Sequence, residues 1–245
     1  MELIKVKDYN ELSEAASKII INKVKSSNKV TIGFATGGTP LGTYKKLIED
    51  YRRNHTSYQH VVSFNLDEYV GLSPSDPNSY HFYMQENLFQ HIDISPTNIH
   101  IPNGESENLQ KECEDYEKLI DSFHGIDLQI LGIGRNGHIG FNEPGTSFRS
   151  MTHVVELAPS TRQANARFFR SLEEVPTHAV TMGIASILKS KEILLLAHGE
   201  EKAEAIVQLI NGSVTEDFPA SALKLHPNVT VIADAKALSK LTEYS

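Results

Sequence analysis

Several features that mark other protein classes are missing from this 245-residue sequence. A single cysteine, Cys113, cannot form an intramolecular disulfide, which is typical of proteins from reducing compartments. No apolar run approaches the roughly 20 residues of a membrane-spanning helix. The N-terminal sequence MELIKVKDYNELSEAA mixes charges with apolar residues at helical spacing, and so lacks the continuous apolar segment of a signal peptide. We therefore expect a cytoplasmic protein that does not contact the membrane.

Clusters of basic residues and of metal ligands are also missing. The formal net charge is -8 and no Lys/Arg run occurs, whereas nucleic-acid binding depends on clustered basic residues. The 11 histidines are scattered without ligand spacing, so we expect no metal site. Cys113 shares helical spacing with Leu109, Tyr116 and Ile120, which predicts a packing residue rather than a nucleophile. A phosphorylated small molecule stays possible as a ligand if the chain builds a local positive site.

The pattern along the chain predicts one α/β domain over residues 1–245, since no linker or composition break divides it. Short β-branched or Leu-rich runs predict buried parallel strands at residues 30–34, 61–66, 128–133, 179–182, 193–197 and 229–233. Helical periodicity lies between most of them, at residues 41–51, 79–89, 105–123 and 200–210. This alternation is typical of a doubly wound, mostly parallel sheet with helices on both faces, a Rossmann-like fold. Ligands of such sheets bind beyond the carboxyl ends of the strands.

Polar segments follow four of the predicted strands, at residues 35–40, 65–71, 132–145 and 198–202. If the strands are parallel, all four segments end at the same edge of the sheet. The first, ATGGTP, runs directly into a helix. The sequence places Thr39 at the N-cap and Pro40 in the first turn, and the glycines let the backbone approach an anion. The segment therefore predicts a phosphate site, with a plain strand-to-helix turn as the alternative.

A phosphate site in an acidic protein needs a fixed positive charge. Lys202 begins a helix that follows a strand and is one candidate. Arg162, Arg167 and Arg170 lie in a second candidate segment, STRQANARFFR, which could close over the site. For each of them a solvated surface charge is the alternative interpretation.

Two segments carry groups able to move protons. Asp67 and Glu68 end a buried strand, and alternation along the chain implies that only one of them faces the ligand. A loop or N-cap carboxylate is the alternative. Residues 132–137 match G-x-G-x-x-G, but helix breakers follow, which disfavours dinucleotide binding. The same loop carries His138, whose tautomer could be held by Asn136 or Glu143.

These blocks together resemble the glucosamine-6-phosphate deaminase/isomerase family. The resemblance covers nearly the whole chain, and its specific blocks are ATGGTP, FNLDEYVGL, NGHIGFNEPG, STRQANARFF and LHPNVTVIADA. It implies a Rossmann-like fold and a cofactor-free conversion of glucosamine 6-phosphate and water to fructose 6-phosphate and ammonia. By position, it makes Asp67 the base at C2, His138 the ring-opening group and Glu143 its orienting partner. The phosphate-binding positions implied in the same way are Thr36, Gly37, Gly38, Thr39, Arg167 and Lys202.

The chain departs from the family at two places. Many members have Asp where this chain has Asn136, and asparagine cannot stabilise imidazolium with a negative charge, so Glu143 would supply that charge alone. Members activated by N-acetylglucosamine 6-phosphate carry basic residues where this chain has His153 and Val155. We therefore expect no such activation. Whether the protein is a monomer or a homo-oligomer stays open.

Two other functions remain to be compared with the deaminase. A 6-phosphogluconolactonase would share the fold and a similar histidine loop, but the FNEP and DEYVG blocks favour the deaminase. A non-catalytic sugar-phosphate sensor would not need Asp67, His138 and Glu143. The presence of all three therefore favours an enzyme over a sensor.

Overall fold

A computed structural model describes residues 1–166 and 169–241 of the chain. These residues form ten β-strands, which we number in chain order: β1 Glu2–Val6, β2 Val30–Phe34, β3 Val61–Asn65, β4 Asp67–Tyr69, β5 Ile99–His100, β6 Leu128–Gly132, β7 His153–Glu156, β8 His178–Thr181, β9 Ile193–Ala197 and β10 Val229–Asp234. Their α-helices are α1 Tyr9–Lys25, α2 Leu41–Asn54, α3 Tyr80–Asn87, α4 Leu109–Ser122, α5 Pro159–Asn165, α6 Ile184–Leu188 and α7 Ala203–Asn211.

Seven of the strands form one sheet in the order β1-β10-β9-β6-β2-β3-β5. Each neighbouring pair in this sheet is parallel, and helices flank it. Strands β2, β3 and β9 are buried along their whole length. Strands covered on both faces need mostly apolar side chains on both, which explains the β-branched and Leu-rich residues that dominate their sequences. The predicted doubly wound α/β fold is confirmed.

The order of the strands reverses at β2. From β2 the chain continues outward to β3 and β5 on one side, and later strands β6, β9 and β10 fill the other side. A crevice for a ligand forms beyond the carboxyl ends of the strands at such a switch point. The segments after β2 and β6 meet there, and these segments are the glycine-rich ones.

The prediction that residues 179–182 form a parallel strand of the main sheet is wrong. Strand β8 lies at the centre of a second sheet, in the order β4-β8-β7, and it is antiparallel to both neighbours. A short buried apolar run has the same composition in either sheet, so the sequence does not distinguish the two. The second sheet begins one residue after β3, because only Leu66 separates β3 from β4.

The N-terminal segment begins with a strand rather than with the helix that its spacing indicated. Strand β1 pairs with β10 at the edge of the sheet, Leu3 opposite Val231. Helix α1 begins only after Asp8, whose carboxylate accepts hydrogen bonds from the backbone N–H groups of Asn10 and Glu11. An aspartate that caps a helix marks its true start.

Cys113 is buried on α4, and burial raises the pKa of its thiol to about 11, which fits the predicted packing role. Within the described parts of the chain, every helix is too short or too polar to cross a membrane.

Candidate active site

The segment that follows β2 has the open backbone expected of a phosphate site. A Cβ atom on Gly37 or Gly38 would have nothing within 4 Å, so this face of the loop is free to approach a ligand. Tyrosine hydroxyls support its other side: Tyr9 donates to the carbonyl oxygens of Gly38 and Thr39, both at 3.0 Å, and Tyr83 donates to that of Gly37 at 2.6 Å. The loop is therefore held in shape before any ligand binds.

The predicted cap of α2 is not found. The helix begins at Leu41, Pro40 occupies the N-cap position, and no side chain caps the helix. Thr39 therefore lies one residue too early to cap it. Instead, the backbone N–H of Gly42 donates to the Tyr9 hydroxyl at 2.8 Å. One N–H of the helix N-terminus is thus already used.

A cleft of about 720 Å³ opens beside this loop. Gly38, Thr39 and Lys202 line it together with Tyr9 and His198. The described lining of the cleft does not include Asp67 or His138. The cleft therefore lies on the Tyr9 side of the loop, apart from the proton-moving groups.

Arg162, one of the arginine candidates, has a structural role. Arg162 on α5 donates to the backbone carbonyls of Leu172 at 3.0 Å and Val175 at 2.9 Å, so its guanidinium ties down a neighbouring loop. Arg167 lies outside the described residues. Helix α5 covers the first part of the candidate segment and ends at Asn165.

Asp67 begins β4 at the point where the chain leaves the main sheet for the second one. Its side chain is only 6% exposed. Burial raises the pKa of this carboxyl to about 8, and the neighbouring charge of Glu68 adds to the increase. Among the described residues we find no hydrogen bond to the Asp67 carboxyl. A buried acid with free oxygens and a raised pKa is suited to exchange a proton with a bound substrate.

Glu68 has the opposite environment. Its buried carboxylate accepts hydrogen bonds from the backbone N–H groups of Tyr80 and His81, both at 3.0 Å, at the start of α3. The His81 Nδ1 atom lies 2.8 Å from the same carboxylate. Glu68 therefore fixes the N-terminus of α3, and Asp67 is the member of the pair that stays available for a ligand.

The loop after β6 carries His138 and passes beside Asp67. A Cβ atom on Gly140 would lie 3.0 Å from the Thr181 Oγ1 atom and 3.7 Å from the Asp67 Oδ2 atom, and Gly140 has a φ of +58°. A side chain at this position would fill the space next to the Asp67 carboxyl. The glycine thus keeps that space open and brings the histidine loop to the aspartate.

The hydrogen bonds around His138 define its tautomer. The Glu143 carboxylate can only accept, so the Asn136 Nδ2 group donates to its Oε2 atom at 2.7 Å. The Asn136 Oδ1 atom then faces the His138 Nδ1 atom at 2.7 Å and accepts its proton. The Nε2 atom of neutral His138 therefore carries the lone pair and can act as a base.

Glu143 acts on His138 mainly through Asn136. Its Oε2 atom lies 3.7 Å from the His138 Nδ1 atom, beyond hydrogen-bond distance, while its Oε1 atom accepts from the Thr161 hydroxyl at 2.5 Å. Of the two tautomer partners that the sequence left open, Asn136 is the direct one. The sequence did not predict the contact of Thr161 with Glu143, because serine and threonine are common near the start of any helix.

Burial lowers the pKa of His138, the charge of Glu143 raises it and the charge of Lys202 lowers it, with a net decrease. The imidazole is therefore favoured in its neutral form. Gly134 permits this placement, since a Cβ atom there would lie 2.2 Å from the imidazole ring. The charge of Lys202 thus acts on the histidine loop.

Comparison with known proteins identifies the family of the chain. A family model described as glucosamine-6-phosphate isomerases/6-phosphogluconolactonase matches residues 7–232. The chain belongs to this family. Within it, the chain is 61% identical over 239 residues to a glucosamine-6-phosphate deaminase of Geobacillus sp. (strain WCH70), covering 98% of this chain and 95% of the relative. The resemblance read from the sequence blocks is confirmed.

Solved structures of the glucosamine-6-phosphate isomerase/6-phosphogluconolactonase family match the whole fold. That of a monomeric glucosamine-6-phosphate deaminase superposes with a TM-score of 0.97 at 54% identity, covering 98% of this chain and 100% of that one. The 6-phosphogluconolactonase of Thermotoga maritima superposes with a TM-score of 0.75 at 22% identity, covering 95% and 98%. The similarity to this lactonase shows a shared fold and nothing more.

Clusters of three or more His, Cys, Asp or Glu side chains that could hold a metal ion do not occur within residues 1–166 and 169–241.

Proposed function

We propose that this protein converts glucosamine 6-phosphate and water to fructose 6-phosphate and ammonia in the cytoplasm, as a glucosamine-6-phosphate deaminase of amino-sugar catabolism. The observation that carries the proposal is the approach of the histidine loop to Asp67 at Gly140, beside a loop built for phosphate. The name shared by relatives more than half identical to the chain supports it.

The substrate phosphate binds at Thr36, Gly37, Gly38 and Thr39, with Lys202 and Arg167 as the cations. The Tyr80 hydroxyl lies near that of Thr36, and its ring stacks on Phe141 in the histidine loop. Tyr80 therefore lies between the phosphate loop and the histidine loop. Anchoring the phosphate therefore places the sugar carbons over Asp67, and such positioning can contribute several kcal/mol to lowering a barrier.

His138 opens the sugar ring. Its Nε2 atom takes the proton of the C1 hydroxyl and delivers a proton to the ring oxygen, which leaves an aldehyde at C1. Asn136 and Glu143 keep the Nε2 lone pair directed outward during this step. A neutral imidazole is required, and the lowered pKa of His138 favours it.

Asp67 then removes the proton from C2 and returns it to C1. The first transfer gives an enolamine, and the second gives an imine at C2, which water hydrolyses to the ketose and ammonia. Asp67 must be ionised to begin, although burial raises the pKa of its carboxyl to about 8. The ammonium group on C2 of the substrate lies next to this carboxyl and favours its charged form. Binding of the substrate therefore converts Asp67 to the ionised form that acts as the base.

The proposed function is tested by incubating the purified protein with glucosamine 6-phosphate in metal-free buffer. Equal amounts of ammonia and fructose 6-phosphate are the expected products. A parallel assay with 6-phosphogluconolactone measures the competing activity of the same fold. Lactone hydrolysis without ammonia release would overturn the proposal, and so would tight binding of the amino sugar phosphate without turnover.

A further inference from the structure

Two tyrosine hydroxyls hold successive backbone carbonyls of the loop that follows β2. Tyr83 on α3 donates to the carbonyl oxygen of Gly37 at 2.6 Å. Tyr9 on α1 donates to the carbonyl oxygens of Gly38 and Thr39, both at 3.0 Å. The carbonyls of three successive residues therefore point toward tyrosine side chains.

The direction of each carbonyl fixes the direction of the next backbone N–H. In a trans peptide the C=O of one residue and the N–H of the next point in opposite directions, and the peptide bonds of this loop are trans. Tyr83 thus turns the N–H of Gly38 away from itself, and Tyr9 does the same for the N–H of Thr39. Within residues 1–166 and 169–241 we find no acceptor for either N–H group. Successive N–H groups that are directed to one side of a loop form a site for an anion.

The peptide between Gly37 and Gly38 needs such a restraint from outside the loop. Gly37 has a φ of +94°, and a Cβ atom on either glycine would have nothing within 4 Å. Glycine adopts positive and negative φ about equally, so no side chain limits the rotation of this peptide. Without the hydrogen bond from Tyr83, the peptide could turn over and present its carbonyl oxygen to the ligand. A carbonyl oxygen only accepts hydrogen bonds and cannot bind an ionised phosphate.

Both hydroxyls are suited to act as donors to the loop. Burial raises the pKa of Tyr83, and Tyr9 adds to the increase, so the Tyr83 hydroxyl keeps its proton. The Tyr9 oxygen accepts a hydrogen bond from the backbone N–H of Gly42 at 2.8 Å. Its own proton is therefore left for the two loop carbonyls.

Helix α3 connects Tyr83 to the pair of buried acids. The Glu68 carboxylate accepts hydrogen bonds from the N–H groups of Tyr80 and His81 at the start of this helix, and Tyr83 lies on the same helix. Glu68 is adjacent to Asp67 on β4. One helix thus joins the strand that carries the proposed base to the loop proposed to bind the phosphate.

From this geometry we propose that Tyr83 and Tyr9 are positioning residues for phosphate binding, which keep the N–H groups of Gly38 and Thr39 directed at the substrate phosphate. The inference rests on the proposed function. The phosphate is remote from C1 and C2, so its contacts are the same in the ground state and in the transition state. The loss of either hydroxyl should therefore be seen in KM and not in kcat.

The variants Tyr83→Phe and Tyr9→Phe test the proposal, because each removes a hydroxyl and keeps the ring. Tyr58→Phe is the matched control: the buried Tyr58 hydroxyl has no hydrogen-bond partner among the described residues, and Tyr58 precedes β3 at the opposite end of the strands. We expect each loop variant to raise KM for glucosamine 6-phosphate roughly fivefold, with kcat within about twofold of the wild type. Tyr58→Phe should leave both constants unchanged.

Inorganic phosphate gives a readout that does not depend on turnover. Its inhibition constant as a competitive inhibitor should rise in both loop variants by a factor similar to that in KM. In the ¹⁵N-labelled wild type, added phosphate should move the amide proton resonances of Gly38 and Thr39 downfield, because an N–H that donates to an anion is deshielded. In Tyr83→Phe the displacement of the Gly38 resonance should be smaller.

The proposal is overturned if KM and the phosphate inhibition constant of either loop variant equal those of Tyr58→Phe. A lower kcat with unchanged KM also contradicts it, since general damage to the structure would give that result. If the Gly38 and Thr39 resonances of the wild type do not respond to phosphate, the proposal fails even where a variant does not fold. Release of ammonia by the wild type in the same assays separates these outcomes from a failure of the proposed function.

Discussion

Asp67 and Glu68 are adjacent buried carboxyls in very different surroundings. The Glu68 carboxylate accepts hydrogen bonds from two backbone N–H groups at the start of α3 and lies within reach of His81. The Asp67 carboxyl has no such bonds within the described residues, and its pKa is raised to about 8. A buried carboxylate with hydrogen-bond partners stabilises the fold. A buried carboxyl without them is less stable in its charged form and can gain interactions when a substrate binds. The difference separates the structural acid from the proposed catalytic one.

The largest expected effect is on turnover in Asp67→Asn. The asparagine keeps the shape of the side chain but cannot accept the C2 proton, so kcat should fall by on the order of 10³-fold or more. Exchange of the C2 proton with D₂O, followed by NMR, should disappear while substrate binding persists. Rapid exchange in this variant would show that the base is another group.

A smaller loss of turnover is expected for Glu143→Gln. The glutamine can turn its NH₂ group toward Asn136, which then rotates and presents its own Nδ2 atom to the His138 ring. The proton of the imidazole would move to Nε2, the atom proposed to act as the base. We expect kcat to fall by roughly 10²-fold with little change in KM. Near-normal turnover would refute the relay through Asn136.

The pH dependence of kcat/KM should report the raised pKa of Asp67. The free enzyme needs the ionised carboxyl, so kcat/KM should rise with pH until about 8, the pKa of Asp67. The kcat profile should level off at lower pH, because the substrate ammonium favours the carboxylate in the complex. Glu68→Gln removes a neighbouring negative charge and should shift the kcat/KM limb to lower pH. If the pH dependence of kcat/KM does not shift in Glu68→Gln, burial alone accounts for the raised pKa of Asp67.

Stability should change in opposite directions for the two acids. The pKa of Asp67 is raised from 3.8 to about 8 on folding, so the folded state loses about 1.4 kcal/mol per pH unit between these values. Asp67→Asn avoids this loss and should be more stable than the wild type, with a gain that is absent near pH 4 and largest above pH 8. Glu68→Gln should be less stable by about 1–3 kcal/mol, because it weakens charge-assisted bonds to α3. Denaturant unfolding at several pH values measures both changes.

The smallest expected effect concerns residues 146–157, far from this pair of acids in sequence. From the family resemblance we expect basic residues at the positions of His153 and Val155 only in members that respond to N-acetylglucosamine 6-phosphate. We expect hyperbolic kinetics that this sugar phosphate leaves unchanged. Sigmoidal kinetics abolished by the compound would contradict the expectation.

The sequence predicted the main sheet well, because buried parallel strands have a distinctive composition. Strands β2, β3, β6, β9 and β10 were found within a residue or two of their true bounds. The second sheet was missed, since β4 has only three residues and β7 is partly exposed. Such strands depend on pairing partners distant in the chain rather than on their own residues.

The amino-acid sequence by itself determined which groups the site could contain: a glycine-rich turn after a strand, adjacent acids, and a histidine in a loop with Asn136 and Glu143. Only the tertiary structure decided their roles. It placed Glu68 against α3 and left Asp67 unbonded, inserted Asn136 between Glu143 and His138, and brought the hydroxyls of Tyr9 and Tyr83 to the glycine-rich turn. The reason is physical: a carboxyl or an imidazole acquires its pKa and its direction from neighbours that are distant in sequence.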